Sequence, residues 1–209
     1  MKKEIFSGIK SNLCKYLSGH IILLLMALLW AFTCSGQEIS QIEKIEVSFD
    51  YQHMPTLASN QLAVWIENED GKVVRTLLVT GFTAGRRGYR QRTMALSGWV
   101  ESADPESMSD EEIDSISGAT PDEGHLEYSW DMTGEDGRRV LDGVYTICVE
   151  GTLFWESNVL FSAQVETGKA ESGDLPVKTV RSEPDNPENE DMIQDVKIAV
   201  LMGKSEQDG

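Results

Sequence analysis

Histidine and cysteine are scarce in this sequence, three of each among 209 residues, and where they fall removes whole classes of chemistry. Cys14 and Cys34 lie within the first 36 residues, which leaves Cys148 alone in the remainder and no disulfide within it. Cys148 sits in V-Y-T-I-C-V-E, where a small buried hydrophobe is expected rather than a nucleophile. His53 and His125 are the only other histidines beyond His20, too little material for a His-based metal site or a Ser-His-Asp triad. Basic side chains are also few, 18 Lys and Arg against 35 Asp and Glu. Setting aside residues 1–36, which carry four Lys and one Glu, leaves 14 basic against 34 acidic side chains, a formal charge of −20. Such a surface repels phosphate backbones and anionic lipid, so nucleic acid is excluded as a partner and the charge serves solubility. The longest apolar run, Ile21 to Phe32, is shorter than the ~20 residues of a spanning helix.

That run is preceded by Lys2, Lys3, Lys10 and Lys15 and followed by the small-residue stretch Thr33-Cys34-Ser35-Gly36. The order is that of a secretory signal over residues 1–36, with cleavage after Gly36 and a mature start at Gln37. The alternative is a lipoprotein acylated and anchored at Cys34. Either route predicts a periplasmic or secreted protein with no membrane span once the signal is removed.

The mature chain carries more strand signals than helix signals. Glu43 to Tyr51 alternates polar and apolar side chains, placing Ile45, Val47, Phe49 and Tyr51 on one face. Gln61 to Asn68 and Val73 to Thr80 read as a hairpin joined by Glu69-Asp70-Gly71-Lys72, with Asp-Gly supplying the positive φ angles of a tight turn. Further strands are expected at Leu126 to Asp131, Val144 to Glu150, Asn158 to Val165 and Asp195 to Met202, with a short one at Val177 to Val180. The fold class is therefore all-β: an immunoglobulin-like two-sheet β-sandwich of about seven or eight strands, in one domain over residues 37–203. Residues 167–190 form a long acidic loop and 204–209 a frayed tail. Ser109 and Glu112 match a capping box.

Arg86, Arg87, Arg90 and Arg92 crowd into the stretch Gly81 to Trp99, the one basic segment of an acidic chain. They read either as a solvated loop or short helix whose arginines pair with carboxylates, or as a clamp for a ligand phosphate. The segment W-D-M-T-G-E-D-G-R-R-V-L-D-G-V-Y, Trp130 to Tyr145, sets large apolar bodies at strand ends, turns at Asp136-Gly137 and Asp142-Gly143, and Val140 as a plug between sheets. It resembles the unit of small immunoglobulin-like domains such as that of flagellar hook-capping proteins. An alternative reading gives Asp131, Glu135, Asp136 and Asp142 to calcium.

The one residue-level pointer to chemistry is D-S-I-S-G-A-T, Asp114 to Thr120. It resembles the flavinylation motif in which a periplasmic flavin transferase joins the phosphate of FMN to a Thr hydroxyl. The resemblance implies Thr120 as the acceptor, Ser117, Gly118 and Ala119 as the narrow approach to it, and Asp114 as a positioning group. Pro121 follows, and Asp122 stands where the motif has Thr or Ser. The same residues also read as a tight turn into the strand at Leu126, with Gly118 taking a strained angle and Pro121 holding Thr120 extended.

The hairpin, the basic segment, D-S-I-S-G-A-T-P and the Trp130 to Tyr145 unit occur in the order that resembles the predicted periplasmic domain-of-unknown-function family 2271, over most of residues 41 to 165. Membership implies an accessory role in flavin-dependent periplasmic electron transfer, with a flavin transferase or a membrane redox protein as partner and covalent FMN at Thr120 as cofactor. The expected function is thus a non-catalytic extracytoplasmic module of that kind. The alternative is a cofactor-free envelope binding or structural module, with Thr120 locked in its turn and an exposed patch around Phe154 and Trp155. A hydrolase ranks third, because no catalytic constellation is present to build on.

Overall fold

The structure, a computed structural model, describes residues 42–55, 59–153, 157–182 and 191–203, with Arg86 as backbone only. The leader with Cys34, the pair Phe154–Trp155, the acidic stretch 183–190 and the tail 204–209 lie outside the described residues. Alternation is realised in β1, Ile42–Tyr51, whose Ile45, Val47, Phe49 and Tyr51 are all buried. Nine strands follow in chain order among the described residues, β2 Gln61–Asn68, β3 Val73–Thr80, β4 Ser117–Gly118, β5 Gly124–Trp130, β6 Val144–Thr152, β7 Asn158–Glu166, β8 Gly173–Asp174, β9 Lys178–Ser182 and β10 Ile193–Met202, to make ten. Eight of them are five residues or longer, and they make two sheets, as the expected sandwich requires.

One sheet has the order β5-β1-β10-β8 and the other β4-β3-β2-β6-β7-β9. Every pairing is antiparallel except the short parallel one of β4 with β3. Side chains from both sheets meet in one core: Ile45, Val47 and Phe49 of β1 and Ile198 and Val200 of β10 from the first, Leu62, Val64 and Ile66 of β2 and Ile147 and Val149 of β6 from the second. The last strand therefore closes the fold against the first, from Ile42 opposite Met202 to Tyr51 opposite Ile193, with register shifts between Ile42 and Lys44 and between Ser48 and Asp50.

The hairpin of β2 and β3 has the expected bounds but a different turn. Gly71 alone takes a left-handed φ, 69°, so the expectation that Asp-Gly would supply positive angles at both residues is corrected. The loop is held by Asn68, whose side-chain Oδ1 accepts the N–H groups of Asp70 and Lys72 at 3.0 Å each. The expected acidic loop 167–190 contains the expected short strand, as β9, and in addition a 3-10 turn at Thr167–Lys169 and β8.

The largest difference from expectation lies between β3 and β4. The segment read as loop or short helix forms α1 Gly81–Ala84, a 3-10 turn Gly85–Arg90, α2 Ser97–Ala103 and α3 Asp110–Ile116. This layer covers the outer face of the six-stranded sheet. Consequently β2 is buried on both faces, with Leu62, Val64 and Ile66 in the main core and Ala63 and Trp65 in a second one. Trp99 of α2, Leu96, Ala84, Ile113 of α3, Val79 and Cys148 complete that second core. Both Trp65 and Trp99 are fully buried, and truncating either to Ala is worth about 3–5 kcal/mol.

Candidate functional site

A helix of seven residues cannot stand alone, so α2 must be held by its surroundings. Its N-cap position is Leu96, which has no side chain able to accept a hydrogen bond and sits at φ 49°. Two groups from β6 do that work instead. Thr152 Oγ1 accepts the Leu96 N–H at 3.0 Å, and the Glu150 carboxylate accepts the N–H groups of Gly98 at 3.1 Å and Trp99 at 3.0 Å. Asn158 Nδ2 of β7 also donates to Glu150. Glu150 is 1% exposed, and burial pushes its carboxyl above the usual range while the Asn158, Trp99 and Gly98 donors oppose that rise. It is a cap supplied from across the sheet.

The next helix, α3, carries the expected capping box. Ser109 Oγ accepts the Glu112 N–H at 3.2 Å while Glu112 accepts the Ser109 N–H at 2.7 Å. The Ser109 N–H, then its hydroxyl, hold the Glu112 carboxyl below the usual range. Asp110, Glu111 and Glu112 in the first turn suit the positive end of the helix. The helix ends at Ser117, and the chain passes into β4, where Ser117 and Gly118 lie opposite Val79 and Thr80. Gly81 follows immediately on β3, and a Cβ there would stand 3.3 Å from the Gly118 carbonyl oxygen, so the two backbones run close together.

This arrangement carries the acceptor-like residues to the edge of the six-stranded sheet. Gly118, Ala119 and Thr120 are exposed, and Ser117 is half-buried. The Thr120 hydroxyl makes one long bond, donating to the Asn60 carbonyl at 3.4 Å. Gly118 takes no left-handed angle and a Cβ on it would meet nothing within 4 Å, which corrects the expectation of a strained glycine turn. Asp114 is exposed on α3 and lines a cavity of about 290 Å³ with Arg87, Asp110 and Ile113, rather than contacting Thr120.

The three arginines of this segment whose side chains are described, Arg87, Arg90 and Arg92, engage separate partners rather than converging as a phosphate clamp would require. Arg87 lies 3.7 Å from Asp110, and Arg90 is paired with Glu106, which also accepts from Tyr89 at 3.1 Å. The Arg90 hydrogen bond holds the Glu106 carboxyl below its usual range. Arg92 turns elsewhere: its Nη1 donates to Ser59 Oγ at 2.9 Å, and its guanidinium lies 4.2 Å from the centre of the Phe82 ring. Asn60, the partner of Thr120, and Ser59 and Phe82, the partners of Arg92, are residues that the sequence did not flag. Their separation along the chain leaves no local signal by which to find them.

At the opposite turn, Trp130 and Tyr145 pack edge to face with centroids 5.3 Å apart, and Tyr145 donates to the Leu141 carbonyl at 2.8 Å. Val140 is half-buried against the main core. The four carboxylates weighed for calcium point at four different partners. Asp131 accepts from Thr133 N at 3.1 Å, Glu135 from Thr76 N at 2.7 Å, Asp136 from Arg138 N at 3.0 Å and Asp142 from Thr167 Oγ1 at 3.3 Å. These are turn and strand locks, and among the described residues no three His, Cys, Asp or Glu side chains are placed to share an ion.

Cys148 and His125 are both engaged in the fold. Cys148 is buried in the second core, and burial pushes its thiol far above the usual range. His125 on β5 bonds Asp50 of β1 at 2.7 Å with Glu127 at 3.5 Å, and the Asp50 bond raises its imidazole above the usual value. Among the described residues no helix is long and apolar enough to cross a membrane.

The family model described as predicted periplasmic protein, domain of unknown function 2271, matches residues 43–182, and the chain belongs to that family. The match runs from β1 through β9 and stops before β10. It places the protein in the periplasm. Neither a curated protein nor a solved structure matched the chain.

Proposed function

We propose that this protein is a non-catalytic periplasmic accessory module that presents Thr120 for covalent attachment of FMN and so serves a flavin-dependent electron-transfer system. A flavin transferase and a membrane redox protein are its partners. The observation that carries this reading is the exposure of Thr120 just after a segment held in place, with α3 capped and β4 paired with β3 before it and β5 pairing with β1 from Gly124 after it. A mobile acceptor would lose ordering entropy on entering a transferase site, whereas this one is displayed in a fixed place. In the transfer, the Thr120 oxygen bonds to the FMN phosphorus of a flavin dinucleotide, the pyrophosphate P–O bond breaks, AMP leaves and the hydroxyl proton passes to solvent. The non-catalytic part of the reading rests on where the reactive side chains are spent: Glu150 on a helix end, Cys148 in a core, His125 on an ion pair.

Co-expression of the full chain with a periplasmic flavin transferase tests it. Flavin fluorescence is expected on the wild-type band and is expected to vanish in Thr120→Ala; fluorescence that survives in that variant sinks the assignment. The second reading, a cofactor-free envelope module, draws on the Thr120 hydrogen bond to Asn60, which ties the loop as a simple turn would. It predicts an unlabelled wild-type band.

A further inference from the structure

We propose that Phe82 and Arg92 form the ledge on which the isoalloxazine ring of a flavin tethered at Thr120 docks, an inference that rests on the Thr120 reading. A series of contacts and chain neighbours leads from the acceptor to this pair. Thr120 donates to the Asn60 carbonyl; Ser59, the residue before, accepts from Arg92; the Arg92 guanidinium lies 4.2 Å from the Phe82 ring centre. Phe82 adjoins Gly81, whose position beside the Gly118 carbonyl leads back to the acceptor segment. The Asn60 side chain ties the corner to Met54, accepting from its N–H at 3.1 Å and donating to its carbonyl at 3.2 Å.

Phe82 is conspicuous on such a scaffold: at 52% exposure it is the one exposed large aromatic side chain among the described residues. The guanidinium lies over one face of this half-exposed ring, so the pair presents apolar ring surface and a planar cation together. A flavin has the complementary form. Its ring system is planar and electron-poor, suited to stacking, and its two-electron reduced form carries negative charge on the pyrimidine end. The ribityl phosphate supplies the tether from the Thr120 oxygen. The ledge then does two things: it limits the motion of the ring, and Arg92 favours the reduced anion over the neutral oxidised form.

The test uses full-length wild type, Phe82→Ala and Arg92→Gln, each co-expressed with a flavin transferase, with the Thr120 adduct checked by peptide mass. Flavin fluorescence anisotropy is expected to fall in Phe82→Ala. In a buffer of fixed potential, the ratio of reduced to oxidised flavin is expected to fall about tenfold in Arg92→Gln. The two variants act through different readouts, so misfolding of one leaves the other decisive. Adducts on Thr120 in all three proteins with unchanged anisotropy and ratio overturn the ledge while leaving the acceptor assignment intact. No adduct on wild-type Thr120 overturns both.

Discussion

Replacing Glu150 by Ala is expected to loosen the helical layer from the sandwich. The substitution removes the acceptor of one buried donor, Trp99 N, and of two part-buried ones, Gly98 N and Asn158 Nδ2; a buried donor left unsatisfied costs about 1–3 kcal/mol and a part-buried one less. The full sum is not reached, because burying the carboxylate is itself unfavourable and that cost disappears with the side chain. A net loss of about 3 kcal/mol is expected, which lowers the Tm of a domain of this size by roughly 6–12 °C. Glu150→Gln keeps an acceptor but turns an NH2 group toward N–H donors, so a smaller loss of about 1–2 kcal/mol follows.

The pH dependence carries a sign. Burial raises the Glu150 carboxyl, so the folded state binds its proton more tightly than the unfolded chain does. The stability this contributes is present below the ordinary carboxylate value and is lost as pH rises through the raised one. The Tm advantage of wild type over Glu150→Gln should therefore be widest in acid and narrow as pH rises. Thermal melts by circular dichroism across that range are the assay. A Glu150→Ala protein melting within about 2 °C of wild type, or an advantage that widens with pH, refutes the reasoning.

Gly88→Ala is expected to unfold the turn after α1, since a Cβ there would stand 1.9 Å from the Phe82 carbonyl oxygen; loss of near-ultraviolet dichroism reports it, and a wild-type spectrum contradicts it. His125 should titrate above the usual imidazole value of about 6.5 in an NMR titration and return toward it in Asp50→Asn, because the Asp50 bond favours the charged ring. Its contribution is present in acid and fades as pH rises through the raised value. Tyr145→Phe keeps the edge-to-face contact with Trp130 but loses the bond to the Leu141 carbonyl, a cost of about 1 kcal/mol in denaturant unfolding.

The sandwich was legible because its strands obey a period of two: the buried faces of β1, β2 and β6 are written in alternate residues, and Asn68 to Lys72 carries recognisable turn chemistry. The helical layer was not legible. Ala63, Trp65, Cys148 and Glu150 occupy the alternate positions that face outward in a two-layer sandwich, and only the tertiary docking of α2 and α3 buries them. Glu150 did leave a trace, an acid at the end of the apolar run V-Y-T-I-C-V-E, but a solvated strand end reads identically. Residues Asp114 to Thr120 were legible as a segment, and the exposure of Thr120 was one of the two outcomes weighed. Its partner Asn60, and Arg92 on the adjoining Ser59, were not, because tertiary folding rather than chain proximity brings them to this corner.

The acceptor assignment is tested most directly by tandem mass spectrometry of the peptide spanning Asp114 to Thr120, taken from protein exported to the periplasm of cells that hold a flavin transferase. The account predicts an FMN phosphoester localised on the Thr120 oxygen, with Ser117 unmodified. A peptide that carries no flavin, or one labelled on Ser117 instead, contradicts it.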